Sequence, residues 1–123
     1  MPGKRILVVD DDPNARFLLR LILESDGYEI TEAPNGISAL LLIKESLPDL
    51  VVTDLMTPMM DGGALINHLR GDPRTAGLKI LAVTANPRVA AAQSADSVLG
   101  KPFDRAELLA LAASLLRMEG PQC

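Results

Sequence analysis

The chain has 123 residues, 48% of them hydrophobic, and a formal net charge of −4. This length allows one domain with a buried core, expected to span residues 1–123, and the acidic balance argues against nucleic-acid binding by this chain alone. No apolar block, Ala39 to Ile43 included, comes near the roughly 20 residues that cross a bilayer, so no membrane span is expected. The first apolar block ends in three aspartates, so we expect no signal peptide and a cytoplasmic location.

The first predicted strand, about Arg5–Val9, is an apolar run that ends at Asp10 and Asp11. A helix follows it, from Asp12, which has the residue type of an N-cap, to about Ser25. One apolar stripe of this helix is expected to face the core. Its members recur at three- and four-residue spacing and are Phe17, Leu18, Leu21 and Ile22.

The second strand is predicted at Tyr28–Ala33 and is weaker in pattern than the first. The helix after it is rich in Leu and Ile and covers about Asn35–Leu47, because Pro48 disfavours a helical residue before it. The third strand, Leu50–Thr53, is an apolar run that leads directly into Asp54. A second strand therefore ends at a carboxylate, as the first one does.

The next helix is predicted at about Gly62–Leu69, after a long loop. It is followed by a fourth strand, Lys79–Val83, which ends at Thr84. A short fifth strand, Ser97–Leu99, comes just before Lys101. Each of the last two strands thus ends beside a side chain that can donate a hydrogen bond to an anion.

The last helix is predicted to begin at Asp104, with Glu107 as its capping-box partner. Between the fourth and fifth strands only a short helix, Pro87–Gln93, is expected. The last helix is apolar over more than half of its circumference, which suggests a homodimer or another partner on that face. The leucines concerned are Leu108, Leu109, Leu111, Leu115 and Leu116.

Strands that alternate with helices predict a flavodoxin-like doubly wound α/β fold, (βα)5, with a five-stranded parallel sheet in the order 2-1-3-4-5. In such a sheet the carboxyl ends of the strands meet at one edge, where ligands bind. We therefore expect one shared site there. Its members are Asp10, Asp11, Asp54, Thr84 and Lys101.

This set of side chains suits phosphoryl transfer to a carboxylate. A carboxylate and a phosphoryl group repel each other, and a hard divalent cation held by oxygen ligands relieves the repulsion. We predict Asp54 as the acceptor, with Asp10 and Asp11 holding Mg²⁺ beside it. Lys101 and Thr84 are predicted to bind the phosphoryl oxygens.

These residues closely resemble the receiver domains of two-component response regulators. The matching pieces cover nearly the whole chain and are ILVVDDDP, from Ile6 to Pro13, VVTDLMTPMMDG, from Val51 to Gly62, VTA, from Val83 to Ala85, and KPF, from Lys101 to Phe103. The resemblance implies a single receiver domain, similar to a chemotaxis regulator, whose Asp54 is phosphorylated by a sensor histidine kinase or a histidine phosphotransfer protein. It also implies that Asp11, Asp54 and the backbone carbonyl of Met56 ligate Mg²⁺, with Asp10 acting through water. Thr84 would move toward the phosphoryl group as the switch.

Two departures from that family concern output rather than chemistry. Val98 stands where receivers carry an aromatic residue that couples to the threonine, and only sixteen residues separate Thr84 from Lys101. A degenerate receiver that binds partners without phosphorylation is therefore one alternative. A haloacid-dehalogenase-type phosphatase is a weaker one, because Met56 stands where those enzymes need an aspartate acid/base. We expect a signalling switch without turnover of outside substrates. The only histidine, His68, is expected on a helix surface.

Overall fold

The computed structural model describes residues 3–54, 62–85 and 95–117. Within these ranges five strands and four helices occur, with bounds that agree closely with the predicted ones. The short helix predicted at 87–93 lies outside the described residues. In chain order the elements are β1 Arg5–Val9, α1 Pro13–Glu24, β2 Glu29–Ala33, α2 Gly36–Glu45, β3 Leu50–Asp54, α3 Gly62–Gly71, β4 Lys79–Thr84, β5 Ser97–Gly100 and α4 Arg105–Arg117.

All strand pairs are parallel, and the sheet order is β2-β1-β3-β4-β5, which confirms the predicted fold. The three central strands are buried on both faces, as their continuous apolar runs require. Helices α1 and α4 contribute to the core on one face of the sheet, and α2 and α3 to the core on the other. Within the described parts of the chain, no helix is long and apolar enough to cross a membrane.

The face of α1 that packs on the sheet differs from the predicted stripe. Phe17, Leu18 and Leu21 are 57%, 52% and 48% exposed, whereas Leu19 and Leu23 are buried in the core. Only Ile22 of the predicted stripe packs against the core, and it does so partly. The prediction was wrong because α1 carries apolar residues on two sides, and three- and four-residue spacing alone does not say which side faces the sheet.

Side-chain caps begin α1 and α4 at the carboxyl edge of the sheet. Asp12 accepts a hydrogen bond from the backbone N–H of Asn14 at 2.9 Å, and Pro13 occupies the first turn, as predicted. At the start of α4, Glu107 N–H donates to Asp104 at 2.7 Å and Asp104 N–H donates to Glu107 at 3.2 Å. This reciprocal pair confirms the predicted capping box.

Arg70, near the end of α3, ties three elements together. Its guanidinium donates to the carbonyls of Ala76 at 2.9 Å and Leu78 at 2.7 Å, and it pairs with Asp96 at 2.8 Å. Asp96 also accepts a hydrogen bond from the backbone N–H of Ile80 at 2.7 Å. Because Asp96 directly precedes β5, this hydrogen-bond network fixes the start of the edge strand. Lys101 comes directly after the end of that strand.

The leucines of α4 are largely used by the core of the monomer. Leu108, Leu115 and Leu116 are buried, and Leu109 and Leu111 are partly buried against the same cluster. The expectation of an excess apolar face on this helix was therefore wrong, because α4 packs against β3, β4 and β5 and also against α1, and so buries a wider arc than one stripe. Homodimerisation itself stays a prediction.

Candidate functional site

The polar residues predicted at the strand ends converge at the carboxyl edge of the sheet. The strand register sets the ends of β1, β3, β4 and β5 side by side. Carboxylate oxygens of Asp10, Asp11 and Asp54 all lie within 4.8 Å of one another. The Lys101 Nζ is 2.8 Å from Asp54 Oδ2 and 3.8 Å from Asp10 Oδ2. Thr84 is buried at the end of β4, and its carbonyl accepts the backbone N–H of Lys101 at 2.8 Å.

Asp10 is the most deeply buried of the three carboxylates, at 1% exposed. Its Oδ1 accepts the backbone N–H of Asp12 at 2.9 Å, while its buried Oδ2 has no hydrogen-bond donor among the described residues. Burial raises the pKa of Asp10 above its usual range, and the negative charges of Asp54 and Asp11 raise it further. The hydrogen bond from the Asp12 N–H and the positive charge of Lys101 lower the pKa but do not cancel the rise. A buried carboxylate oxygen without a donor is costly unless a cation faces it.

Among the described residues, Lys101 is the one cation within ion-pair distance of these carboxylates. Burial alone lowers the pKa of its ammonium, but the hydrogen bond to Asp54 and the charges of Asp54, Asp10 and Asp11 together raise it above the usual value. Lys101 is therefore fully charged at neutral pH. One positive charge still faces three carboxyl groups, so the site has an excess of negative charge.

The donor set fits a hard divalent cation. Three carboxylates at one edge are the oxygen ligands that Mg²⁺ selects, and among the described residues no cysteine or histidine belongs to the cluster. Asp10 Oδ2, which has no hydrogen-bond donor among the described residues, is the oxygen whose charge such a cation would neutralise. The backbone carbonyl of Met56, predicted as a further ligand, lies outside the described residues.

Two other residues that the sequence singled out lie apart from this cluster. His68 is exposed on α3, as predicted, and it does not join the acidic group. Val98 lies in β5 beside Ala82 of β4 and packs, half-buried, against the core on the face of α2 and α3. An aliphatic side chain thus occupies the position three residues before Lys101, where the family's receivers were expected to carry an aromatic ring.

Sequence reasoning missed Arg16 of α1, which reaches this edge. Its Nη1 donates to the backbone carbonyl of Asp10 at 2.8 Å, and its Nε pairs with Glu32 at 3.0 Å. A signal was present in the sequence, because Arg16 shares a helical face with Leu19 and Leu23. A charged residue on a face that packs on the sheet needs a buried partner.

Comparison with known proteins gives one consistent result. The model of the response regulator receiver domain family matches residues 6–113. The DNA-binding dual master transcriptional regulator RpaA of Synechocystis sp. is 40% identical over 92% of this chain, which spans about half of that relative (49%). The response regulator TrrA of Thermotoga maritima, solved in complex with Mg²⁺-BeF, has a TM-score of 0.84 at 36% identity, covering 91% of this chain and 98% of its own. The receiver domain of the sensor histidine kinase PA1611 of Pseudomonas aeruginosa PAO1, solved with a magnesium ion in its active-site cleft, has a TM-score of 0.88 at 28% identity, covering 94% and 98%.

Proposed function

The chain belongs to the response regulator receiver domain family, and from this premise we propose that it is a signalling switch phosphorylated on Asp54 in a Mg²⁺-dependent reaction. The family is one of signalling domains, not of enzymes that turn over outside substrates. The observation that carries the proposal is the contact of Lys101 Nζ with Asp54 Oδ2 at 2.8 Å, beside two further carboxylates. A strand-end carboxylate so placed has both a charge partner and a cation site next to it.

In the proposed transfer, a carboxylate oxygen of Asp54 forms a bond to phosphorus while the bond from phosphorus to the donor breaks. The Lys101 ammonium, which holds Asp54 before transfer, then donates to a phosphoryl oxygen, and the hydroxyl of Thr84 donates to another. Asp10, Asp11 and Asp54 would hold Mg²⁺, which supplies positive charge against the phosphoryl oxygens. The residues of the chain thus position the reactants and balance charge, which is most of what phosphoryl transfer requires.

The proposed signal begins at the same residues. A phosphoryl group adds about −1.5 to −2 charge and three acceptor oxygens, enough to draw nearby donors toward it. The carbonyl of Thr84 accepts the backbone N–H of Lys101, so the ends of β4 and β5 are linked and a shift of Thr84 moves both. This link offers a route out of the site that does not require an aromatic ring at Val98.

The test of the proposed function uses acetyl phosphate as the donor and intact mass spectrometry as the readout. With Mg²⁺ the wild-type chain is expected to gain the mass of one phosphoryl group, and with EDTA in place of Mg²⁺ it is expected to gain none. A folded chain that gains no mass in Mg²⁺ would favour the degenerate interaction module. Equal phosphorylation in EDTA would contradict the metal dependence.

The proposed donor inside a cell is a protein, either a sensor histidine kinase or a histidine phosphotransfer protein. The exposed apolar face of α1, formed by Phe17, Leu18 and Leu21, supports a protein partner, because three large apolar side chains share one solvent-facing surface. α1 begins directly after Asp10 and Asp11, so this face flanks the acidic site. We propose that the donor protein packs against it while its phosphohistidine reaches Asp54.

The double substitution Leu18→Ser with Leu21→Ser is expected to slow phosphorylation by a protein donor by about 10-fold or more, because both side chains would be interface anchors. Phosphorylation by acetyl phosphate should stay unchanged, since neither residue is buried in the core. A panel of sensor kinases is first screened on the wild-type chain, and the kinase that phosphorylates it fastest is used to measure the rates. Leu41→Ser, an equally exposed leucine on α2, is the control and should leave both rates unchanged. An equal loss with both donors would contradict docking on α1.

Four expectations from the sequence remain predictions, and homodimerisation is the first of them. The leucines of α4 no longer argue for a homodimer, because the core of the monomer covers most of their surface. The cytoplasmic location, the extent of the domain over residues 1–123 and the lack of nucleic-acid binding by this chain alone stand as predicted from composition and pattern.

A further inference from the structure

We infer that Arg16 is a positioning residue of the acidic site, which holds the main chain of Asp10 so that its free carboxylate oxygen points at the bound cation. The inference rests on the proposed Mg²⁺ site and adds to it a residue outside the ligand set. Arg16 lies on α1, away from the strand ends that carry the ligands, and contacts the site only through the carbonyl of Asp10.

Three hydrogen bonds fix Asp10. Its backbone N–H donates to the carbonyl of Ala33 at 3.2 Å, its Oδ1 accepts the N–H of Asp12 at 2.9 Å, and its carbonyl accepts Arg16 Nη1 at 2.8 Å. The remaining polar atom is Oδ2, which lies 3.8 Å from Lys101 Nζ. Because both main-chain groups and one carboxylate oxygen are held, the direction of Oδ2 is set. Of the three donors and acceptors, Arg16 alone acts through a side chain.

Arg16 is itself held in place. Its Nε pairs with Glu32 Oε1 at 3.0 Å, in a contact where the two side chains are only 19% and 25% exposed. Glu32 lies on β2 opposite Val8 of β1, so the guanidinium bridges α1, β1 and β2. A planar guanidinium with several fixed donors can serve Glu32 and the Asp10 carbonyl at once, which a lysine ammonium at the end of a flexible stem does not reproduce.

Arg20 offers a matched control on the same helix. Its Nη1 pairs with the other oxygen of Glu32 at 2.9 Å, and its Nε pairs with Glu24 at 2.9 Å. Among the described residues, Arg20 hydrogen-bonds to these two glutamates and not to Asp10. Replacing either arginine by methionine removes one positive charge and one partner of Glu32. Only the loss of Arg16 also releases the carbonyl of Asp10.

The direction in which the Mg²⁺ affinity changes distinguishes a positioning role of Arg16 from a pure effect of its charge. Removing a positive charge near three carboxylates favours Mg²⁺ binding by Coulomb's law, so a pure charge effect would tighten it. Loss of a group that orients a ligand weakens metal binding, typically by 10–100-fold. We expect Arg16→Met to bind Mg²⁺ about 10-fold more weakly than the wild-type chain, and Arg20→Met to bind it as tightly as the wild-type chain or slightly more so.

The experiment is isothermal titration of Mg²⁺ into the wild-type chain, Arg16→Met, Arg20→Met and, as a marker of ligand loss, Asp10→Asn. Thermal unfolding without metal runs beside it, because a merely structural role would lower the melting temperature of both arginine variants and leave their Mg²⁺ affinities alone. Where Arg16→Met does not fold, Arg16→Lys carries the test. It keeps the charge and is expected to bind Mg²⁺ several-fold more weakly.

Unchanged Mg²⁺ affinity in Arg16→Met, or equal weakening in Arg16→Met and Arg20→Met, would overturn the inference while leaving the proposed function intact. A wild-type chain that binds no Mg²⁺ would overturn the proposed function, and the positioning role of Arg16 with it. A selective loss in Arg16→Met supports the inference, even if acetyl phosphate labels the variant at a normal rate in excess metal.

Discussion

Asp54→Asn is expected to take up no phosphoryl group from acetyl phosphate in the presence of Mg²⁺, whereas the wild-type chain takes up one. The carboxylate oxygen is the proposed nucleophile, and an amide of nearly the same shape has no oxygen that attacks phosphorus at a useful rate. The amide oxygen can still accept the hydrogen bond from Lys101, which the carboxylate accepts at 2.8 Å. The fold should therefore survive, and intact mass over time measures the outcome.

The matched control for this variant is Asp49→Asn, at the opposite end of β3. Asp49 accepts the backbone N–H of Arg5 at 2.7 Å, at the amino edge of the sheet and remote from the acidic cluster. It should become phosphorylated like the wild-type chain, with at most a small loss of stability. Normal phosphoryl uptake by Asp54→Asn would place the acceptor elsewhere, and peptide mapping would show which residue carries it.

The strand-end residues were predictable from the sequence because their placement follows from the topology. In a parallel sheet the carboxyl ends of neighbouring strands lie at one edge, so Asp54 after an apolar run must be near Asp10 once the strand order is known. Lys101 follows β5 at the same edge by the same rule, and its Nζ lies 2.8 Å from Asp54 Oδ2.

The features that the sequence did not yield depend on how one helix is rotated. α1 has apolar residues on two sides, and only packing decides that Leu19 and Leu23 face the core while Phe17 faces solvent. The same rotation brings Arg16 under the carbonyl of Asp10. The spacing of Arg16 from Leu19 and Leu23 indicates that it shares their face, but it does not indicate that its partner is the main-chain carbonyl of Asp10, which only the coordinates show.

The electrostatics of the site likewise depend on which carboxylate oxygens are buried, which the residue types alone do not tell. The sequence shows three aspartates and a lysine but does not show that Asp10 Oδ2 is enclosed without a donor. That detail turns a plausible cation site into one with an unsatisfied buried oxygen. Lys101 would compete with a cation bound there, because its ammonium faces the same carboxylates.

Lys101→Met is expected to change two properties in opposite directions. Phosphorylation by acetyl phosphate should slow by about 100-fold, because a preorganised cation that meets the charge of the transferred group is lost. Mg²⁺ should bind more tightly, on the order of 10-fold, because a competing charge less than 4 Å from two carboxylate oxygens is removed. Time courses of intact mass and calorimetric titration of Mg²⁺ measure the two quantities.

Lys79→Met makes the same chemical change at the amino end of β4, away from the acidic cluster, and should alter neither property. The expected rise in Mg²⁺ affinity and fall in phosphorylation rate distinguish this prediction from unfolding of the site, because unfolding would weaken metal binding and phosphorylation together. Slower phosphorylation with weaker Mg²⁺ binding would therefore mean that Lys101 holds the site in shape rather than competing with the cation. Unchanged phosphorylation would remove Lys101 from the proposed chemistry and leave Asp54 with the metal as its sole source of positive charge.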